Sequence, residues 1–512
     1  MAQCIHSVQT IGIVAHPVDV EVDLAPGLFR FTIVGLPDKA VEESRDRVGA
    51  AIAHSKLTPP HKKHARVTIN LAPADIKKEG PMFDVPIALA FLLAGKQIRF
   101  DPARRWFVGE LALDGSVRAG KGIIILASAA KRAGITELYV PTTNCVEAAM
   151  VPGISVIGFS TLGELIDHLE GRHIIPATPS GTFHSVTPAT VVDFADIKGQ
   201  VSARRAAEIA AAGRHHLALS GPPGTGKTMI ARAIPGIMPP MTFDEALEVT
   251  AIHSVSGTAR EDIRSYGVIR SRPFRSPHHT TSHAALVGGG TVPKPGELTL
   301  AHHGILFLDE FPEFSTASIE ALREPLEERM VTVARVKATN TFPAHILLVA
   351  AMNLCPCGRR GSHEVCTCSP RDLMRYQRKV SGPIVDRIDL WANVPRVDAA
   401  SATALPAGDS SERMKERVAR AALMQRDRYA HTPYLWNSEL PAAKFDMFLA
   451  LSDVASRTLA TAASQLHMSL RAFHRVKKIS RTIADLDASP SIENAHILEA
   501  LQFRPRVQEI HH

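Results

Sequence analysis

The sequence predicts an α/β chain: a mixed α+β block first, then a block built on a parallel sheet, then a block of helices. Three observations carry this. Short apolar runs at 216–220, 305–308 and 345–351 alternate with amphipathic segments between about 192 and 395, the pattern of buried parallel strands with helices on both sides. Nearer the start, strand-like runs at 29–34 and 65–70 mingle with helix-like stretches at 39–54 and 122–133. Residues 410–510 keep a helical period with few strand signals. At 512 residues and 45% hydrophobic content the chain exceeds what a single core holds. The expected boundaries are 1–172, a Pro/Thr/Ser-rich linker at 173–190, a core at 191–400 with an insert at 355–368, and helices at 401–512.

The central block carries its chemistry in one loop. After the run at 216–220 come Gly221, Pro222, Pro223, Gly224, Thr225, Gly226, Lys227 and Thr228. Glycines there let backbone N–H groups turn inward around phosphate oxygens, Lys227 reaches the β/γ-phosphates, and Thr228 offers a hydroxyl to Mg²⁺ at a helix start. The run at 305–308 ends in Asp309 and Glu310, one carboxylate suited to Mg²⁺ and the next to polarising water. Loop and acidic strand together predict ATP and Mg²⁺ as cofactors and ATP hydrolysis as the reaction.

Four of the six cysteines cluster as Cys355, Cys357, Cys366 and Cys368, with Gly358 and Gly361 turning the chain between the pairs. Two thiolate pairs across a short loop suit a structural tetrahedral Zn²⁺; the alternative is four reduced thiols. The chain starts with no secretory signal and has no apolar run of the roughly 18 residues a membrane span needs, so the expectation is a cytoplasmic protein without a membrane partner. A net charge of +7 is compatible with a polyanionic partner and diagnostic of nothing alone.

The stretch from Asp193 to Gln200, the phosphate loop, the stretch from Arg272 to His279, Pro295-Gly296-Glu297 and the stretch from Ala350 to Gly358 resemble the magnesium-chelatase-like AAA+ proteins of the ComM/YifB family, nearly end to end. Leu354 departs from the proline expected there. The resemblance implies a homohexameric ring with ATP between neighbouring subunits and a C-terminal helical lid. Asn353 falls where sensor 1 orients the attacking water. Arg387, in Asp386-Arg387-Ile388-Asp389, matches the arginine finger, with an ion pair to Asp386 or Asp389 as its other reading. Arg471 sits where the lid offers sensor 2, though Arg475, Lys477, Lys478 and Arg481 share its helix.

Residues 1–172 resemble the Lon protease domain, which completes the fold class: a noncatalytic Lon-protease-like α+β domain, an AAA+ P-loop parallel-sheet domain and a helical lid. Met82 stands at the position of the Lon serine, and Ile124 or Leu126 at that of the lysine. Neither a thioether nor an aliphatic chain attacks a peptide bond, so this block is expected to dock or guide a substrate.

Alternation over 331–342 predicts a β-hairpin resembling the pre-sensor-1 hairpin of MCM helicases, which points into the ring channel. On it Arg335 and Lys337 would grip DNA phosphates without reading sequence, or else are ordinary exposed strand residues. Arg270, Arg272 and Arg275 are further candidates for channel charge, while His278, His279, His302 and His303 suit capping or packing better than a metal. The family resemblance implies an ATP-dependent motor on branched or single-stranded DNA, a hexameric helicase promoting branch migration in recombination and natural transformation alongside recombination proteins. The alternative is a chelatase-like ATPase remodelling a protein partner.

Overall fold

The computed structural model describes residues 3–188, 192–258, 260–289, 294–335, 338–397 and 408–505, which fall into two compact units. One comprises 1–184 and 242–270, the other 185–241 and 271–512, and each has its own apolar core.

The second unit is organised by a five-stranded sheet in the order Phe274–Arg275, Ile305–Leu308, Leu347–Met352, Leu217–Ser220, Leu390–Asn393. Every neighbouring pair is parallel. Burial on both faces is why its central strands read as unbroken apolar runs. Parallel pairing also brings the residues that follow each strand to one edge, and the strand order sets the first strand in sequence between the fourth and the fifth. The phosphate loop therefore leaves the sheet beside Met352 and Asn353.

Helices Ser411–Arg428, Leu470–Leu486 and Asn494–Gln502 share this unit's core: Met414, Val418, Ile479, Ile483 and Ile497 belong to one apolar cluster with Ala206, Ala210 and Ile234. The alanines of helix Val201–Gly213 permit that close approach. Between the strands Ile305–Leu308 and Leu347–Met352 the chain forms the expected hairpin, Met330–Arg335 pairing antiparallel with Ala338–Pro343.

The first unit holds a four-stranded sheet ordered Gln3–Ile11, Val14–Pro26, Ala65–Ala72, Arg30–Val34, and a three-stranded parallel sheet of Arg105–Phe107, Glu137–Pro141 and Ser155–Phe159. Met82 is half-buried, and Ile124 and Leu126 are buried in helix Ile123–Arg132. Residues 242–270, continuous in sequence with the central block, pack here instead. Helix Phe243–Ser256 starts at a Thr242/Glu245 capping box and lies against Ile123–Arg132. Its Ser254 hydroxyl donates to Glu147 Oε1 at 2.5 Å and accepts the Gly122 N–H at 2.8 Å. Burial raises the Glu147 carboxyl above its ordinary value, against the hydrogen bonds from Ser254, the Ile124 N–H and Asn144.

Removing the hydroxyl leaves the Gly122 N–H and one Glu147 oxygen without that partner. Ser254→Ala should weaken the seating of 242–270 by about 1–3 kcal/mol, read as faster hydrogen exchange across 243–256. Unchanged exchange would remove Ser254 from the contacts that hold this segment.

Candidate nucleotide site

The loop after Leu217–Ser220 is shaped by what surrounds it. A Cβ on Gly221 would lie 2.2 Å from the Val394 carbonyl oxygen, so only glycine fits beside the neighbouring strand. Gly224 and Gly226 adopt φ of +74° and +92° at the tip. The Thr225 hydroxyl closes the loop on the Pro222 carbonyl at 2.9 Å, and Gln200 Nε2 donates to the Thr225 carbonyl at 3.4 Å and to the Pro395 carbonyl at 2.6 Å. Lys227, at the start of helix Lys227–Ile237, is buried and donates to the Gly221 and Pro222 carbonyls, both at 2.7 Å, and to Asn353 Oδ1 at 3.2 Å. Burial lowers its pKa, and Asp309 opposes that shift. An ammonium so placed gains most from an anion delivered to the loop.

Beside it, Thr228 Oγ1 donates to Asp309 Oδ2 at 2.9 Å, giving two hard oxygen donors in contact, a fit to Mg²⁺. Glu310 follows in a left-handed conformation, φ +51°, with its carboxylate half-exposed and its Oε2 3.1 Å from His279 Nδ1. The strand ends thus bring together Lys227, Thr228, Asp309 and Asn353, with Glu310 at the rim.

Arg387 and Arg471 meet elsewhere in this unit. Arg387 donates through Nε to the Arg323 carbonyl at 3.0 Å, through Nη1 to the Pro383 carbonyl at 2.8 Å, and through Nη2 to Glu327. Its partner is therefore neither Asp386 nor Asp389. Arg471 donates to the other oxygen of the same Glu327. Of the other bases on its helix, Arg475 is buried against the Ile388 and Asp386 carbonyls at 3.1 and 2.5 Å, Arg481 against Asp485, and Lys478 reaches the Ser438 carbonyl. Lys477 sits over the Phe445 ring.

The four cysteine Sγ atoms lie within 4.8 Å of one another. Cys355 to Cys357 measures 3.4 Å, while Cys357 to Cys366 and Cys366 to Cys355 each measure 3.7 Å. Tetrahedral Zn–S bonds of about 2.3 Å set sulfur pairs roughly 3.8 Å apart, so the donor set fits that ion. The Arg359 N–H holds the Cys357 thiol well below its ordinary value, at about 5.

Arg335 ends one hairpin strand opposite Ala338, and Lys337 lies outside the described residues. Two of the candidate channel arginines have other tasks. Arg272 is buried and donates to the Pro239, His303 and Pro240 carbonyls at 2.6, 2.7 and 3.1 Å. Arg275 forms a two-pronged pair with Glu297 at 2.6 and 2.8 Å. Arg270 stacks on the Tyr266 ring at 3.4 Å. His302 and His303 are buried with their rings in tilted contact, 4.0 Å between centroids, and His302 Nδ1 accepts the His345 N–H. Sequence reasoning missed Glu327 and gave His279 no role at Glu310, because both meet their partners only through the fold. Gln200 lay inside a quoted motif with no task assigned.

A parallel sheet in this order, with the loop lysine, the acidic pair and the asparagine at one edge, defines a P-loop ATPase of the AAA+ class. The chain belongs to the ComM/YifB family of magnesium-chelatase-like AAA+ proteins. Family models match at 193–402 (magnesium chelatase, subunit ChlI), 20–144 (subunit ChlI of Mg-chelatase) and 408–504 (magnesium chelatase, subunit ChlI C-terminal). The chain is 41% identical over 504 residues to the uncharacterized protein YifB of Escherichia coli, covering 98% of this chain and 96% of that one. It is 39% identical over 510 residues to competence protein ComM of Haemophilus influenzae, covering 98% and 97%. A stretch of 167 residues is 31% identical to Lon protease 2 of Bacillus subtilis, 30% of this chain and 29% of that one. No helix among the described residues is long and apolar enough to cross a membrane.

The two neighbouring arginines should separate cleanly on substitution. Arg272→Ala removes a buried donor from the Pro239, Pro240 and His303 carbonyls, of which His303 keeps Arg214, and should lower stability by about 3 kcal/mol, whereas Arg270→Ala removes a half-buried guanidinium stacked on Tyr266 and should cost less, about 1 kcal/mol. Urea midpoints measure both; equal midpoints would contradict a structural task for Arg272.

Proposed function

We propose that this chain forms a homohexameric ATP-driven motor in the cytoplasm that moves on branched or single-stranded DNA and promotes branch migration. The observation that carries the reading is the antiparallel pair Met330–Arg335 and Ala338–Pro343, set in sequence between the strand leading to Asp309 and the strand leading to Asn353, with Arg335 the last residue of the first strand. A basic group there is coupled through both strands to the nucleotide. The similarity to competence protein ComM supports a role in recombination during natural transformation, with recombination proteins as partners.

In this reading the loop N–H groups and Lys227 bind the triphosphate, while Thr228 and Asp309 hold Mg²⁺, which neutralises phosphate charge. Glu310 polarises the attacking water and Asn353 orients it. Arg387 and Arg471 of one copy meet the γ-phosphate held by the next. Cys355, Cys357, Cys366 and Cys368 hold a structural Zn²⁺ that joins the Asn353 strand to the helix Pro370–Arg378. A second reading, a protein-remodelling ATPase, is favoured by the match of three ChlI models along the chain.

The test is ATP hydrolysis with and without forked DNA at two salt concentrations, alongside strand displacement. DNA should stimulate hydrolysis, the stimulation should shrink as salt rises, and Lys227→Ala should abolish turnover. Arg335→Ala should lose stimulation while keeping basal hydrolysis. Neither stimulation nor displacement would favour the protein client. Purified chain should also carry one zinc per subunit by elemental analysis, lost in a Cys366→Ser/Cys368→Ser variant; zinc-free wild-type protein would overturn the metal assignment.

A further inference from the structure

Glu327 lies near the end of helix Arg323–Glu328, on the wall of a cleft of about 560 Å³ whose lining includes Arg214, Arg329, Arg387, Arg471, Arg475 and Lys478. None of the phosphate-loop residues is among those lining it. Its two carboxylate oxygens are divided between Arg387, on the turn before strand Leu390–Asn393, and Arg471, on the lid helix Leu470–Leu486. The same lid helix clasps that turn a second time, through Arg475 on the carbonyls of Asp386 and Ile388.

We propose that Glu327 is a positioning residue that binds Arg387 and Arg471 into one unit; the inference rests on the reading of these arginines as acting on a second copy's nucleotide. Two guanidinium groups at close range repel, and each side chain has rotamer freedom to lose. One carboxylate between them cancels the repulsion and fixes both forks facing the same way. Both arginines then reach an arriving triphosphate already aligned, and displacing either displaces the other. Glu327 and Arg471 are about half exposed, and the more buried Arg387 keeps the Arg323 and Pro383 carbonyls without Glu327, so the pairing adds little to folding stability and its value lies in alignment.

The experiment is steady-state ATP hydrolysis by the full chain, comparing Glu327→Gln, Arg387→Ala and Arg471→Ala singly and in combination, with melting curves as the folding control. Glu327→Gln should lower kcat by about tenfold, with KM within about twofold and an unchanged melting temperature. With Glu327 present the two arginine substitutions should be non-additive, the double variant resembling the worse single one. With Gln at 327 their effects should multiply. Glu327→Asp should restore part of kcat. Wild-type kcat in Glu327→Gln, or the same additivity in both backgrounds, would overturn the proposal. Full activity in both arginine variants would instead overturn the reading of the arginines on which it rests.

Discussion

A buried ammonium constrains the rest of the second unit. Lys227 sits out of water with two loop carbonyls and the Asn353 amide as its partners. Those neutral dipoles stabilise a charge less well than a phosphate would, so the loop is held in a form that favours an anion. The carbonyls of Gly221 and Pro222 face inward only because Gly221 has no Cβ to strike Val394 and because strand Leu390–Asn393 pairs with Leu217–Ser220. The amide of Asn353 arrives from the strand on the other side. Strand order, glycine placement and Asn353 are thus requirements of one cation's surroundings.

Much of this was legible because it is local. A glycine-rich loop between an apolar run and a helix, and an acidic pair ending a second run, are signals within a few residues, and the structure joins Thr228 to Asp309 as the separate motifs imply. The cysteine spacing likewise survives folding, since a short loop leaves the four sulfurs little room to part. The arginines were harder to read. Arg272 and Arg275 sit in a Gly/His/Arg/Pro-rich stretch that looks like surface charge, yet one stitches three carbonyls and the other holds Glu297. Whether a guanidinium faces solvent or backbone depends on segments far away in sequence, and neither composition nor periodicity encodes that. Glu327 was invisible for the same reason: its partners lie 60 and 144 residues away.

These different fates of arginine bear on what the net charge means. A formal +7 suggests an electrostatic surface for a polyanion, but a guanidinium buried on backbone carbonyls, as Arg272 is, adds to the count without facing a partner's backbone. The DNA reading therefore rests on the hairpin rather than on composition. It also separates a global effect from a local one, because salt screens both and only substitution on the hairpin tells them apart.

In the first unit, the positions that resemble the Lon serine and lysine carry Met82 and an aliphatic residue, and the region has become a packing surface. The Met82 side chain lies so close to Gly120 that a Cβ there would fall 2.6 Å from its Cε. Val255 approaches Gly122 in the same way, and Ser254 gives its hydroxyl to the buried Glu147. Val255 and Ser254 belong to the helix Phe243–Ser256, which continues in sequence from the phosphate-loop helix. The chain crosses between the two units after residues 184, 241 and 270, so this segment is tethered to the nucleotide core at both ends.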